Sequence, residues 1–163
     1  MNENFFSSCD MKTLLAFLVL NLMPPTKSEE PAKWLKAFVR DAVAQQLSNT
    51  ELKDTYFCTN MLHRTDAYEE KARKGMEWAL TMQRPFLREK QLNLDEVRFA
   101  PYESLSVGER PAKPFHMLGE TKNVYVAQYR GEIILYFLLQ DDKIASTLLL
   151  GQGSEYYFID FCR

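Results

Sequence analysis

The stretch NVYVAQYRGEIILYFLLQDDKIAS, residues 123–146, decides the fold. It holds three runs of strand-forming side chains, separated by Arg130-Gly131 and by Asp141-Asp142-Lys143, which are typical turn residues. Connections this short join neighbouring antiparallel strands. The middle run, EIILYFLL, is apolar on both faces, which is typical of a central strand. The stretch therefore predicts an antiparallel meander.

Strand-forming sequence continues on both sides of this stretch. Downstream, the run IASTLLL is followed by GQGSE, which predicts a turn, and by YYFIDFC, which predicts the last strand. Upstream, the alternation of Val97 and Phe99 predicts a fifth strand within residues 96–104. Between the strands, residues 105–122 are rich in proline and glycine and predict a long loop, and such loops are often functional.

The N-terminal half has the periodicity of helices. In SEEPAKWLKAFVRDAVAQQL, residues 28–47, apolar side chains recur on one helical face. A short helix is predicted over residues 51–57. A long helix is predicted from Asp66, which forms a capping-box pattern with Glu69, and Pro85 is expected to kink or restart it.

Amphipathic helices followed by a meander predict an α+β fold. We expect N-terminal helices packed on one face of a curved four- to five-stranded antiparallel sheet, which is a roll. In its order of elements this roll is similar to the cystatin-like and nuclear-transport-factor-like architectures. The resemblance is one of architecture, carried by no residue motif, and therefore implies no activity.

The first 28 residues have two interpretations. The apolar run 13–23 is 11 residues long, against the roughly 20 that a transmembrane helix needs, so no stable membrane span is predicted. The run matches the core of a secretory signal, with Lys12 before it and small residues up to Ser28 after it.

We therefore expect a signal peptide over residues 1–28, a single α+β domain over residues 29–163, and a periplasmic or secreted protein. In the alternative, residues 11–23 form a core helix, and the chain is a cytoplasmic interaction protein.

Cysteine and charge counts restrict the chemistry. The cysteines are Cys9, Cys58 and Cys162, and removal of residues 1–28 leaves two, either bridged as a disulfide or buried as separate thiols. No metal-ligand spacing or cofactor-binding motif occurs, so neither a metal nor a cofactor is predicted. With 20 basic and 22 acidic residues, the chain lacks the basic excess of a nucleic-acid-binding protein.

The sequence contains no catalytic motif, and we expect a non-catalytic binding domain. Its partner is an unknown protein, peptide or small ligand, bound by the sheet face or by the 105–122 loop, and the oligomeric state is left open. The candidate ligand-binding residues are Tyr125, Tyr136, Tyr156 and Phe158. Aromatic side chains suit the mouth of a concave pocket, although cross-strand pairing would explain them equally well.

Asp160 is the one catalytic candidate. Strand alternation would place it with Tyr156 and Phe158 on one face. If that face lines a pocket inside the roll, burial would raise the pKa of the carboxyl group, as in a small hydrolase- or isomerase-like enzyme. Otherwise Asp160 is an acid that faces solvent.

Overall fold

The computed structural model describes residues 29–58, 67–111, 115 and 121–162. The three helices are α1 (Glu29–Ala44), α2 (Asn49–Tyr56) and α3 (Ala67–Glu89). The six strands are β1 (Arg98–Pro101), β2 (Val124–Tyr129), β3 (Glu132–Gln140), β4 (Lys143–Ser146), β5 (Leu149–Gln152) and β6 (Glu155–Phe158). Helices followed by antiparallel strands confirm the predicted α+β fold. The predicted signal peptide over residues 1–28 and the predicted helix start at Asp66 lie outside the described residues.

The turns of the quoted stretch build the main sheet. β1, β2, β3 and β4 follow one another in spatial as well as sequence order, and each pair is antiparallel. Arg130-Gly131 and Asp141-Asp142 are two-residue connections in which every residue has a positive φ. Two successive positive φ values are what a type I′ hairpin turn requires, and the twist of that turn matches the twist of paired strands.

The last predicted strand does not join this sheet. The run IASTLLL is interrupted after Ser146, and β5 pairs with β6 in a separate two-stranded sheet. At the interruption the buried Thr147 is bonded to Gln83 of α3, and Ser146 Oγ accepts a hydrogen bond from the Leu148 N–H at 3.0 Å. Gln83 Nε2 donates to the Thr147 carbonyl oxygen at 2.8 Å, and Thr147 Oγ1 donates to Gln83 Oε1 at 2.9 Å. These bonds take Thr147 out of the ladder, so the main sheet has four strands that include β1.

The helices cover one face of the main sheet. The core between them contains Phe38 of α1, Leu52 of α2, Leu80 of α3, and Leu135 and Phe137 of β3, all at most 5% exposed. The Phe38 ring meets the Phe137 ring nearly edge-on, with the ring centroids 5.9 Å apart. This packing confirms the predicted layering. On the other face of the sheet, Tyr102, Phe115 and Phe158 pack against Val124 and Val126.

The boundary between α1 and α2 differs from the one predicted. Ser48, expected to follow the end of α1, is the N-cap of α2, and it forms a reciprocal capping box with Glu51. α3 runs through Pro85, where a kink or restart was predicted, as one helix that ends at Glu89. Pro85 is exposed, so water can satisfy the carbonyl group that loses its helical partner.

Candidate binding surface on the outer face of the sheet

An aromatic cluster lies on the face of the sheet opposite α1, α2 and α3. Its centre is Phe115, the one residue described between 112 and 120. The Phe115 ring centroid lies 4.7 Å from that of Tyr102, 5.6 Å from those of Tyr136 and Phe158, and 6.2 Å from that of Tyr156. We call these five residues the Phe115 cluster. Phe158 stacks on Phe115, whereas Tyr102 and Tyr136 meet it edge-on, and both arrangements are favourable for aromatic pairs.

Four separate elements supply the cluster. Tyr102 lies in the short turn that follows β1, and Tyr136 lies in the middle of β3. Tyr156 and Phe158 are alternate residues of β6, so they share one face of that strand. Phe115 also forms a single parallel β-bridge with Tyr156. The β5–β6 hairpin, which is separate from the main sheet, therefore contributes two of the five rings.

The cluster is covered in part. Tyr102 is buried, at 8% exposed, whereas the other four rings are half-buried. Burial, with smaller contributions from Tyr156 and Tyr102, raises the pKa of Tyr136 to about 12. The Tyr136 hydroxyl is therefore neutral at physiological pH and can both donate and accept a hydrogen bond.

The structure brings three of the four candidate ligand-binding residues together. Tyr136, Tyr156 and Phe158 surround Phe115, but Tyr125 lies on the opposite face, packed against the helix-side core. Burial raises the pKa of Tyr125 as well. Tyr102 was not predicted as a site residue, although it lies within the strand predicted at residues 96–104; β1 itself ends at Pro101. Phe115 lies in the predicted 105–122 loop, where no regular spacing of apolar residues singles it out as a site residue.

Asp160 does not lie in the strand that was predicted to position it. β6 ends at Phe158, so the alternation that would place Asp160 beside Tyr156 stops before it. The Cys162 backbone N–H donates to Asp160 Oδ1 at 2.8 Å, a local bond that shapes the end of the chain. The catalytic role of Asp160 stays a prediction.

Cys58 and Cys162 are joined as a disulfide, with their Cα atoms 5.5 Å apart and a separation of 104 positions in the sequence. The segments that contain Cys58 and Cys162 both lie against β4. The Cys58 N–H donates to the Ile144 carbonyl oxygen at 3.1 Å, and the Phe161 N–H donates to the Ala145 carbonyl oxygen at 2.9 Å. The bond thus connects the residue that follows α2 to the C-terminal segment, across the edge of the main sheet.

An open cleft of about 550 Å³ lies among the helices and does not include Asp160. Its lining residues are Gln45, Leu47, Ser48, Asn49, Thr81, Arg84, Pro85 and Arg88. Arg84 donates to the Ala42 and Leu47 carbonyl oxygens and to Asn49 Oδ1, at 2.7 to 3.1 Å. These bonds hold the end of α1 and the start of α2 against α3, so Arg84 serves the packing of the helices.

No protein-family model, curated protein or solved structure matches this chain. Among the residues that the structure describes, no group of three or more histidine, cysteine, aspartate or glutamate side chains is placed to hold a metal ion. Nor does that part of the chain contain a helix of sufficient length and hydrophobicity to cross a membrane.

Proposed function

We propose that residues 29–163 form a non-catalytic domain that binds a protein, peptide or small ligand through the Phe115 cluster. The observation that supports this most directly is the grouping of Tyr136, Tyr156 and Phe158 around one ring, on the face of the sheet opposite α1, α2 and α3. Half-buried rings present flat apolar area at little cost in side-chain entropy, which suits recognition.

The chemistry of the cluster favours one kind of ligand group. Four half-buried rings offer contact to an apolar or aromatic group, and the neutral Tyr136 hydroxyl adds one hydrogen bond at the rim. A phenylalanine or leucine side chain of an extended peptide meets these requirements. Each square ångström of apolar surface it buries would contribute about 25 cal/mol.

Peptides selected from a random display library against the full chain test this proposal. We expect Tyr136→Ala and Phe158→Ala to weaken the selected peptides about thirtyfold, because truncating a central aromatic contact typically costs 2 kcal/mol or more. Trp78→Ala is the control, since it removes an aromatic ring from α3, outside the cluster. Equal affinity for the parent and for both cluster variants, with all proteins folded by circular dichroism, would exclude the cluster as the binding surface.

We further propose that the domain acts outside the cytoplasm. The pairing of Cys58 with Cys162 and the apolar run before Ser28 support this, because disulfides persist in oxidising compartments and are rare in the cytosol. N-terminal sequencing of the protein recovered from its host should give Glu29 as the first residue. Retention of Met1 or Met11 would reject export and favour a role for residues 11–23 in the core.

A further inference from the structure

The cleft among the helices carries positive charge that no carboxylate of the described residues neutralises. Arg84 and Arg88 both line this cleft, and they lie four residues apart on α3, so they share one face of that helix. Within the part of the chain that the structure describes, no aspartate or glutamate forms an ion pair with either guanidinium group. We call this site the arginine cleft.

The two arginines repel each other in the free protein. Like charges four residues apart on a helix are destabilising. Other cations of α3 are arranged differently, since Lys74 lies 2.6 Å from a Glu70 oxygen and Lys90 lies 3.1 Å from a Glu132 oxygen. An anion bound beside both guanidinium groups would remove the repulsion between Arg84 and Arg88.

Arg84 is held in position by its own chain. Its three hydrogen bonds, at 2.7 to 3.1 Å, go to uncharged acceptors, the carbonyl oxygens of Ala42 and Leu47 and the side-chain oxygen of Asn49. These bonds orient the guanidinium group, and two of its five N–H groups are left for a ligand. Ala42 lies in the last turn of α1, where the helix dipole amounts to about half a negative charge. The end of α1 therefore offsets only part of the charge of Arg84.

Arg88 has more of its donors available. Its Nε lies 3.4 Å from the Arg84 carbonyl oxygen, which brings the side chain back along α3 by one turn. Its two terminal nitrogens form no hydrogen bond with the described residues. The planar guanidinium fork matches the oxygen atoms of a carboxylate or a phosphate and can bind them in pairs. Two arginines thus offer donors to one anion from the same wall of the cleft.

The rest of the cleft adds a hydroxyl donor and an apolar surface. Ser48 Oγ accepts from the Glu51 N–H at 3.2 Å, and its own proton stays available to a ligand. Glu51 is an acid close in sequence, but it does not line the cleft, and its Oε2 accepts from the Ser48 N–H at 2.7 Å. Leu47 and Pro85 supply apolar surface. Pockets of small molecules combine apolar surface with a few polar groups in this way.

We infer that the arginine cleft binds a small organic phosphate of the phosphate monoester class. A phosphate monoester carries a charge of about −1.5 to −2 at pH 7, which matches two guanidinium groups better than the single charge of a monocarboxylate does. Its three terminal oxygens can accept from both arginines and from Ser48. The cleft of about 550 Å³ is larger than a phosphate group needs, so an organic group can lie against Leu47 and Pro85.

Titration of the full chain with phenyl phosphate, followed by ¹H–¹⁵N NMR, tests this inference. The backbone signals of Ser48 and Asn49 and the Nε signal of Arg88 should shift and saturate at millimolar phenyl phosphate. Arg88→Gln should weaken binding about tenfold or more, because it removes a charge-assisted pair of hydrogen bonds. Arg88→Lys keeps the charge without the fork and should weaken binding about threefold. Arg73→Gln, which removes an exposed arginine of the same helix outside the cleft, should leave the affinity unchanged.

Urea unfolding separates a ligand site from a role in packing. Without ligand, Arg88→Gln should unfold at the same urea concentration as the parent or at a higher one, because it removes the repulsion with Arg84. Phenyl phosphate should raise the urea midpoint of the parent much more than that of Arg88→Gln, because only a ligand that binds the folded state stabilises it. A large loss of stability in ligand-free Arg88→Gln would make Arg88 a packing residue and overturn the inference.

The choice of probes tests the class of ligand. Inorganic phosphate should bind about tenfold more weakly than phenyl phosphate, since it leaves the apolar surface uncovered. Benzoate should also bind more weakly, since it brings one negative charge. Equal affinity for phenyl phosphate and either of these probes overturns the assignment, as does an equal loss of affinity in Arg73→Gln and Arg88→Gln. Tyr136→Ala should bind phenyl phosphate as the parent does, so these outcomes do not depend on the Phe115 cluster.

Discussion

Reduction of the Cys58–Cys162 disulfide is expected to lower the free energy of unfolding by about 4–5 kcal/mol. The bond links residues 104 positions apart, and cross-linking so long a loop removes much conformational entropy from the unfolded chain. A domain of this size is stabilised by about 5–15 kcal/mol in total, so the loss is a large share. Both cysteines are buried, at 7% and 6% exposed, and reduction leaves two small thiols in place of the bond.

Urea unfolding with and without a reductant measures this contribution. The midpoint should fall markedly on reduction. The double variant Cys58→Ala/Cys162→Ala should unfold near the reduced midpoint and should not respond to the reductant, which separates this bond from any effect of Cys9. An unchanged midpoint for the parent protein would show that the two cysteines are not bridged in solution.

The reduced protein is expected to keep its C-terminal segment in place. The Phe161 ring is fully buried in the helix-side core, and two backbone bonds connect the segment to the end of β4 and the residues after it. Reduction therefore changes stability more than architecture. In the native state, the Phe115 cluster should bind its ligand equally well with or without the disulfide.

The meander could be predicted from the sequence because its determinants are local. Arg130-Gly131 and Asp141-Asp142 are turns that nearby residues specify, and the strands they join are neighbours. The break after Ser146 has a different cause. Here Ser146 Oγ accepts a hydrogen bond from the Leu148 N–H at 3.0 Å, and Thr147 is bonded to Gln83, 64 residues earlier in the chain. Nothing within IASTLLL indicates the second partner, so the run looked like one continuous strand.

The candidate site could be predicted in part, for a related reason. Residues paired directly across an antiparallel ladder point to the same face. Tyr136 pairs with Val126, and Tyr125 pairs with Phe137, so the two tyrosines lie on opposite faces. The Arg130-Gly131 turn fixes the pairing beside it, and an unbroken ladder would place the two tyrosines opposite each other. The register shifts by one residue between Ala127 and Gln128, and nothing in the sequence indicates that irregularity. Tyr125 was therefore grouped with residues that it does not contact.

Phe137→Ala is expected to lower the free energy of unfolding by about 3–5 kcal/mol. Phe137 is fully buried and lies at the centre of the helix-side core, where its ring contacts those of Phe38 and Phe99. Truncation removes the apolar contact and leaves a cavity that a well-packed interior fills only in part. Phe137→Leu keeps most of the volume and should cost about 1–1.5 kcal/mol.

The neighbouring residue provides the matched comparison. Tyr136 belongs to the Phe115 cluster and is half-buried, so Tyr136→Ala should cost about 1–2 kcal/mol of stability while weakening the binding of selected peptides about thirtyfold. Phe137→Leu should do the reverse and leave peptide affinity unchanged in the folded fraction. Urea unfolding and peptide titration of the two variants measure both effects. If Phe137→Leu abolished peptide binding in a fully folded protein, the helix-side core would contribute to binding as well as to stability, and the roles of the two faces could not be separated. Adjacent residues of β3 would then share one role, contrary to the division of faces that the sheet imposes.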